Sequence, residues 1–341
     1  MKELETTPWY ICNEEDTNYC AYMDTDSVYI HAEPMLRYLY PDFDNMSYEQ
    51  KDEALEKIAL KYQDIITTSY DTLAENCFNV KSHRLEMKTE CVIRSAYFRA
   101  NRRYAQWITK QEGVALKNKT AKKPKDKGVV GTDNGGQGEG DPLDIGVLDI
   151  KGLEFKKANF PPILGKFFMG ILEDVLKGAP KDEIDERVKE FQQQILDGTL
   201  PLKDLGNPQS VKKLDKYVSH GPRTGEMFST LEKGATAAIK ATVAYNDLLR
   251  FWKLNTQYPY ITQGSKVKWI YLKSNPYQLE SLAFMPGADI PPKINDFIEE
   301  YADRKKIFDS ILLNKLEGFF DDLGWVFNLN PYQQQFFNFQ L

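Results

Sequence analysis

The chain has 341 residues, of which 42% are hydrophobic and 13% aromatic, so a disordered protein is excluded and two domains with packed cores are favoured. No apolar run approaches the ~20 residues that cross a bilayer, and four cysteines with three scattered histidines exclude a disulfide scaffold and a zinc site of common spacing. The net charge of −6 disfavours a protein that coats nucleic acid indiscriminately. We therefore expect a cytoplasmic protein without a membrane partner.

The first predicted elements are β-strands. Pro8–Asn13 and Tyr19–Met23 are rich in aromatic and β-favouring residues and flank a run of turn residues, so they predict a hairpin. A tight acidic turn, Asp24–Ser27, then leads to a further strand, Val28–His31. Three short strands therefore open the chain.

A long helix and two longer strands are predicted next. Apolar residues recur at steps of three and four from Ser47 to Phe78, and Ser47 forms a capping box with Gln50. His83–Phe98 alternates between apolar and polar residues, which is typical of a half-buried strand. A second β-type run, Tyr104–Thr109, follows closely and completes an N-terminal α/β region.

The segment from 81 to 127 reverses the charge of the chain. It carries 14 Lys or Arg and 4 Asp or Glu, a local balance of +10, so that everything else sums to −16. A confined basic block favours a local contact with a polyanion. A solvated face followed by a charged linker explains the same charge equally well.

The second half is predicted to be mainly helical and to follow a linker. Residues 117–142 hold six Lys, six Gly, two Pro and no aromatic residue, which is typical of a flexible insertion. The predicted helices and the strand beyond it are Leu164–Leu176, Lys181–Leu196, Ala235–Trp252, Val267–Leu272 (strand) and Pro292–Leu323. The fold class predicted is α+β, with an antiparallel sheet and a packed helix followed by a mainly helical domain.

The acidic turn is the most informative feature of the sequence. Asp24 and Asp26 lie one residue apart at the tip of a hairpin, where their carboxylates repel each other unless a cation lies close by. Mg²⁺ prefers such oxygen ligands together with substrate phosphates, and two ions ~3.5–4 Å apart catalyse phosphoryl transfer. The alternative is an ordinary turn, because Asp, Thr and Ser favour turns in any case.

Two segments carry a resemblance to family B DNA polymerases. Tyr22–Ser27 resembles the third palm motif of that family, Tyr-x-Asp-Thr-Asp-Ser, and Asn101–Ala105 resembles its Lys-Lys-Arg-Tyr-Ala segment, which holds the primer terminus. Glu90 lies 11 residues before Asn101, where the family commonly has another palm carboxylate. The match is most specific in residues 19–31 and 83–107.

The second half extends the resemblance. Lys151–Glu154, followed by Pro161, is similar to the palm–thumb junction, and Ala241–Tyr245 through Gly264–Val267 resembles the thumb of polymerases from large tailed bacteriophages of the T-even type. The resemblance implies a palm portion over 1–116, a flexible insertion over 117–150, a thumb over 151–330 and a C-terminal tail over 331–341. It also implies the cytoplasm of a host cell.

The resemblance implies a role for each residue of the site. Asp26 and Asp24 are the expected ligands of two Mg²⁺ ions, or of Mn²⁺ in their place, and Glu90 is a further catalytic carboxylate. The residues expected to contact primer–template DNA are Thr25, Lys88, Asn101, Arg102, Arg103 and Tyr104. The first lysine of the family segment is Asn101 here, which removes one positive charge from the expected grip on the primer.

The same resemblance implies partners. Family members carry an exonuclease domain, fingers and two further palm motifs, one of which supplies another metal-binding aspartate, before the position at which this chain has its hairpin. We therefore expect an N-terminal polymerase subunit on a separate chain, with primer–template DNA and dNTP as substrates. The aromatic tail, Phe336, Phe337 and Phe339, is expected to bind a sliding clamp, or else to fold back on the thumb or the partner.

Two other functions fit parts of the sequence. A non-catalytic DNA-binding or processivity module that retains old motifs is the first alternative. The palm of a reverse transcriptase or RNA polymerase also has paired aspartates on a hairpin. Clustered carboxylates argue against the first, and the arginine–tyrosine segment and the thumb resemblance argue against the second.

Overall fold

The computed structural model describes residues 19–116, 145–222 and 226–326. They belong to two compact units, divided between Gly152 and Leu153. Antiparallel sheets and helices occur in both, which confirms the predicted α+β class. The predicted strand Pro8–Asn13, most of the predicted insertion and the aromatic tail lie outside the described residues.

A two-stranded hairpin opens the first unit. Strands β1 (Cys20–Asp24) and β2 (Ser27–Ile30) are antiparallel, and Asp24 pairs with Ser27 across a two-residue turn. The predicted strands are therefore confirmed to within a residue or two. The acidic turn is the tip of this hairpin.

Helices α1 (Glu33–Leu39) and α2 (Tyr48–Phe78) follow, separated by a 3₁₀ turn at Phe43–Asn45. The predicted capping box is present, since Ser47 accepts from the Gln50 backbone N–H and the Gln50 side chain accepts from Ser47. A buried apolar cluster joins the two helices: Ala32, Met35, Leu36, Ala54 and Ile58. The helix predicted from its periodicity is confirmed at both ends.

A four-stranded antiparallel sheet completes the first unit. Its strands are β3 (Cys91–Ala100), β4 (Arg103–Gln111), β5 (Val114–Ala115) and β6 (Val147–Lys151), and β4 pairs with all three of the others. Trp107 on β4 is buried and donates to the Ile145 carbonyl at 3.1 Å. Residues 147–150, predicted to belong to the flexible insertion, are therefore part of the sheet, because their backbone pairs with β4.

The start of the predicted strand His83–Phe98 is wrong, and only its second half is a strand. Residues 81–90 belong to no helix or strand, and β3 begins only at Cys91. The backbone N–H groups of Met87 and Thr89 instead donate to side chains of α2, Thr67 and Gln63, at 3.3 and 2.7 Å. Helix side chains satisfy the backbone groups that a neighbouring strand would otherwise pair.

Two ion pairs attach α2 to the sheet. Arg94 on β3 lies 3.2 Å from Asp52, and Lys110 on β4 lies 2.7 Å from Glu56. Asp52 and Glu56 are four residues apart on α2, so they project from the same helix face. This arrangement fixes the helix across the β3–β4 pair.

The second unit combines helices with a three-stranded sheet. Its sheet has the order β11–β10–β7, and a short β8–β9 ribbon lies apart from it. The strands are β7 (Asn207–Ser210), β8 (Val218–His220), β9 (Thr230–Leu231), β10 (Lys266–Tyr271) and β11 (Ser281–Phe284). The helices are α3 (Pro162–Leu176), α4 (Lys181–Leu196), α5 (Leu202–Leu205), α6 (Leu214–Tyr217), α7 (Ala237–Phe251), α8 (Pro292–Tyr301), α9 (Arg304–Ile307) and α10 (Asn314–Asp322).

The single helix predicted over Pro292–Leu323 is interrupted. The chain leaves α8 at Ala302, where the Asp303 N–H donates to the Tyr271 carbonyl on β10 at 2.9 Å, and a π-helical turn, Phe308–Leu313, separates α9 from α10. Asp303 then caps α9 by accepting from the Lys306 N–H at 2.9 Å. Backbone pairing with the end of the central strand β10 replaces continuous helix at this point.

The core of the second unit lies between α7 and the sheet and between α3, α4 and α10. Helix α7 packs against β10 and β11, and Phe168 on α3 contacts Phe319 on α10. Phe167 and Phe191 stack between α3 and α4, with ring centroids 3.8 Å apart. Within the residues that the structure describes, no helix combines the length and the apolar character needed to cross a membrane.

Candidate functional site

Two turns from distant parts of the sequence meet in the first unit. The acidic turn at the tip of β1 and β2 lies against the turn Asn101–Arg102, which joins β3 to β4. The Arg102 guanidinium holds both carboxylate oxygens of Asp24, with Nε 2.9 Å from Oδ2 and a terminal nitrogen 3.2 Å from Oδ1. A bidentate ion pair therefore joins the predicted metal ligand to the predicted primer-gripping segment.

Asp24 is also held by its own turn. The Thr25 hydroxyl donates to Asp24 Oδ1 at 3.0 Å, while the Asp26 N–H and the Ser27 hydroxyl donate to the Asp24 carbonyl at 2.6 and 3.2 Å. The hydrogen bond from Arg102, and secondly that from Thr25, hold the pKa of the Asp24 carboxyl below its usual range. Asp24 is therefore a carboxylate at neutral pH with its charge already compensated.

Asp26 differs from Asp24 in its exposure and in the contacts of its carboxylate. Its side chain is exposed, and its carboxylate has no hydrogen-bond or ion-pair partner among residues 19–116, 145–222 and 226–326. One carboxylate of the turn is therefore committed to an arginine and the other is open to solvent. The open one is the residue that the sequence predicts as the main metal ligand.

Four aromatic rings connect the two hairpins beneath the turns. Tyr22 and Tyr29, which pair across β1 and β2, contact Phe98 and Tyr104, which pair across β3 and β4. The ring centroids lie 5.2 to 5.7 Å apart, and Tyr22 stacks on Phe98. Such contacts add to the energy of the buried area, so this aromatic cluster sets the position of one turn relative to the other.

Two tyrosine hydroxyls add directional contacts to the aromatic cluster. The Tyr22 hydroxyl donates to Asn101 Oδ1 at 2.8 Å and accepts from the Arg102 backbone N–H at 2.9 Å. The hydroxyls of Tyr29 and Tyr104 lie 3.1 Å apart, and burial together with this contact raises the pKa of Tyr29. The Tyr22 hydroxyl thereby holds the Asn101 side chain and the Arg102 backbone in place. The Arg102 side chain is not used in these contacts and reaches Asp24.

Both turns contain a backbone conformation that L-residues rarely adopt. Thr25 has φ +53° and Arg102 has φ +59°. Gly152, just after β6, packs directly against the Arg102 carbonyl: a Cβ at this glycine would lie 2.0 Å from that oxygen. Only glycine therefore fits at this position.

The structure brings some of the predicted site residues together and leaves others apart. Asp24, Asp26, Thr25, Asn101 and Arg102 lie at the paired turns. Arg103 is exposed at the start of β4, beside the turn. The ring of Tyr104 packs in the aromatic cluster and does not project from the turn.

Glu90 and Lys88 are not at the paired turns. Glu90 is exposed and immediately precedes β3, at the opposite end of that ten-residue strand from Asn101, where its carbonyl accepts from the Glu112 N–H at 2.7 Å. Lys88 is exposed in the irregular segment before it. Neither side chain contacts Asp24 or Asp26 in the described part of the chain.

The donor set fits part of a magnesium site. Asp24 and Asp26 offer hard oxygen ligands, and the guanidinium at Asp24 is itself a cation attracted to this turn. Within the described residues no group of three or more His, Cys, Asp or Glu side chains could hold a metal ion. A complete site would therefore need oxygen ligands from a bound nucleotide or another polypeptide.

Several residues that organise the site have no role predicted from the sequence. Tyr22, Tyr29 and Phe98 form the aromatic cluster, and Gly152 fits against Arg102. The sequence does contain a signal for the contact between Tyr22 and Tyr29, because a two-residue turn at Thr25–Asp26 places these two residues opposite each other. No local pattern predicts the contact of Gly152 with a turn fifty residues earlier.

Comparison with known proteins adds no assignment to this geometry. A scan against protein-family models and a search of curated proteins both find no match to the chain. Interpretation of the site therefore depends on its residues and their contacts.

Proposed function

We propose that this chain supplies the palm and thumb portion of a template-directed DNA polymerase of family B. The proposed reaction is transfer of a nucleotide from a dNTP to the 3′-hydroxyl of a primer. The remaining catalytic aspartate of the palm, which this chain lacks, and the fingers belong to a partner polypeptide in this proposal. A sliding clamp is a further partner, bound by the tail that contains Phe336, Phe337 and Phe339.

One observation carries the proposal: an acidic turn and a basic turn are joined side by side by a contact between residues 78 positions apart in sequence. Asp24 and Asp26 provide negative charge for metal ions, and Arg102 and Arg103 provide positive charge for a nucleic-acid backbone. A polymerase needs both within a few ångströms, because the primer terminus has to lie beside the metals. An ordinary solvated turn has no need for such a partner.

Asp26 is the residue best suited to bind metal in this arrangement. Its carboxylate is exposed and unpaired within the described residues, so no contact has to be broken before it binds a cation. Asp24 would be the second ligand. Bound Mg²⁺ would favour deprotonation of the primer 3′-hydroxyl and offset the charge that develops on the α-phosphate.

The basic turn would position the primer. Arg102 and Arg103 are exposed, and the Arg102 backbone is held by the Tyr22 hydroxyl. Contacts of arginine with phosphates orient a duplex without reading its sequence. Tyr22 and the aromatic cluster are positioning groups that keep this grip in register with Asp26.

Primer extension with the full chain and its candidate partner tests the proposal. We expect no synthesis by the chain alone, synthesis by the mixture, and loss of synthesis when the mixture contains Asp26→Ala. The matched control is Asp64→Ala, which removes an exposed aspartate from α2 far along the chain from both turns and should leave synthesis unchanged.

The outcomes separate the candidate functions. Synthesis that survives Asp26→Ala would remove the catalytic role of this turn. Binding of primer–template DNA by a mixture that never extends it would instead support the non-catalytic DNA-binding module. Glu90→Ala in the same assay tests the other carboxylate, which matters only if the partner or the DNA brings it to the primer terminus.

A further inference from the structure

Arg102 occupies the carboxylate that a metal ion would use. Its two nitrogens approach Oδ2 and Oδ1 of Asp24, and Oδ1 also accepts from Thr25. A divalent cation on Asp24 would therefore meet a positive guanidinium about 3 Å from the same oxygens, where like charges repel strongly. The cation and the guanidinium compete for one ligand.

The contact is built so that only a side chain has to move. The Arg102 side chain is 72% exposed, so the ion pair is screened by water and is inexpensive to break. The Arg102 backbone is fixed independently, by the Tyr22 hydroxyl on its N–H and by Gly152 against its carbonyl. The guanidinium can swing away from Asp24 while the turn remains in place.

We infer that Arg102 is a placeholder for the metal at Asp24, displaced when a divalent cation binds and thereby released to contact a DNA phosphate. This inference rests on the proposed function, because it takes Asp24 as a metal ligand and Arg102 as a DNA contact. It assigns Arg102 a second role as a positioning residue that couples the two ligands. Asp26, unpaired within the described residues, admits the first metal contact without this exchange.

Coupling of this kind is reciprocal. If a metal ion frees Arg102 for DNA, then DNA that binds Arg102 frees Asp24 for the metal by the same factor. The site would therefore assemble cooperatively and hold metal weakly until a primer is present. The exchange also suits an arginine in this segment, because its guanidinium can bind either a carboxylate or a phosphate in bidentate fashion.

Binding of Mn²⁺ to the full chain, measured by electron paramagnetic resonance in the absence of DNA, tests the exchange. Arg102→Gln should tighten Mn²⁺ binding about five-fold, the lower end of ordinary coupling factors. Arg103→Gln removes the same charge one residue away and should change the affinity by less than half of that factor. In an Asp24→Asn background the effect of Arg102→Gln should disappear, because the shared ligand is gone.

Several results would overturn the inference. Equal effects of Arg102→Gln and Arg103→Gln would mean a general charge effect, and an effect that persists with Asp24→Asn would mean that Arg102 does not act through Asp24. Absence of Mn²⁺ binding in every variant, also after primer–template DNA and dNTP are added, would mean that the turn is no metal ligand. Near-ultraviolet circular dichroism checks the fold of each variant, and Arg102→Lys, which keeps the charge but loses the bidentate contact, should give an intermediate affinity.

The Mn²⁺ measurement is independent of synthesis. A mixture that fails to extend a primer would remove the polymerase proposal but would leave the competition between Arg102 and Mn²⁺ measurable. If the mixture extends primers but Arg102→Gln leaves the Mn²⁺ affinity unchanged, the exchange at Asp24 is refuted and the polymerase proposal stands.

Discussion

Two Asp–Arg pairs in the first unit have nearly the same contact distance and very different surroundings. Asp24 and Arg102 lie 2.9 Å apart with side chains 28% and 72% exposed. Asp52 and Arg94 lie 3.2 Å apart with side chains only 7% and 13% exposed, and the Arg94 guanidinium also covers the Tyr48 ring at 4.2 Å. The first pair joins two turn tips, and the second joins a helix to a sheet.

The difference indicates which pair is structural and which is exchangeable. A buried charge that loses its partner keeps its cost of desolvation, whereas an exposed charge is solvated at once. Arg94, in the buried pair, is therefore a structural residue. Arg102, in an exposed pair of similar length, is free to change partners.

The largest expected effect is on stability. Arg94→Ala leaves the Asp52 carboxylate buried without its cation and removes the stack on Tyr48, so we expect a loss of about 3–5 kcal/mol in the free energy of unfolding. Arg102→Ala removes the same side chain from the exposed pair and should leave the midpoint of urea unfolding almost unchanged. Urea titration followed by circular dichroism measures both.

A reversed order of these two variants would break the comparison. Arg94→Lys serves as the second measurement, since it retains the charge near Asp52 while losing the planar stack. It should recover part of the stability lost in Arg94→Ala. No recovery would mean that packing on Tyr48, and not charge, holds Arg94 in place.

An intermediate effect is expected from Gly152→Ala, which sharpens the comparison at the exposed pair. The new Cβ would lie 2.0 Å from the Arg102 carbonyl at a φ of +63°, so we expect a loss of about 2–4 kcal/mol and a displaced turn. Gly113→Ala is the matched control: its φ is +77° but its Cβ would meet only Glu56, at 3.6 Å. It should lose about 1 kcal/mol, and equal losses would show that the close contact of Gly152 does not matter.

The smallest effect is a titration. Arg102→Gln should raise the pKa of the Asp24 carboxyl toward its ordinary value of 3.8, and Thr25→Val should raise it less, in the order of the two hydrogen bonds. Carbon-detected NMR of the carboxyl measures both shifts. An unshifted pKa in Arg102→Gln would mean that the pair does not persist in solution.

The same pKa fixes the direction of the pH dependence. Because the folded-state pKa of Asp24 lies below 3.8, the pair stabilises the fold above that pH, and the contribution is lost as the pH falls through the lower folded value. The small difference in unfolding free energy between the wild type and Arg102→Gln should therefore be constant from about pH 5 to 8 and shrink further in stronger acid.

Local sequence patterns predicted those elements of the first unit that are stabilised by contacts between residues close in sequence. Helix α2 begins and ends where its periodicity and its Ser47–Gln50 capping box indicate, because those signals act within one turn of helix. Alternation over His83–Glu90 was misleading. Those residues form no strand: Met87 and Thr89 donate to Thr67 and Gln63 on a helix, and alternation does not distinguish a helix from a strand as the neighbour.

In the candidate site, too, the local turn could be predicted from the sequence and the long-range contact could not. Asp24, Thr25 and Asp26 were placed at the tip of a hairpin from the residues around them, because a short turn between β-favouring runs is defined by its own few residues. That Arg102 holds Asp24 while Asp26 stays open depends on a contact across 78 residues. Packing of Tyr22, Tyr29, Phe98 and Tyr104 brings the turns together, and such long-range packing depends on the whole fold, which no short window of sequence contains.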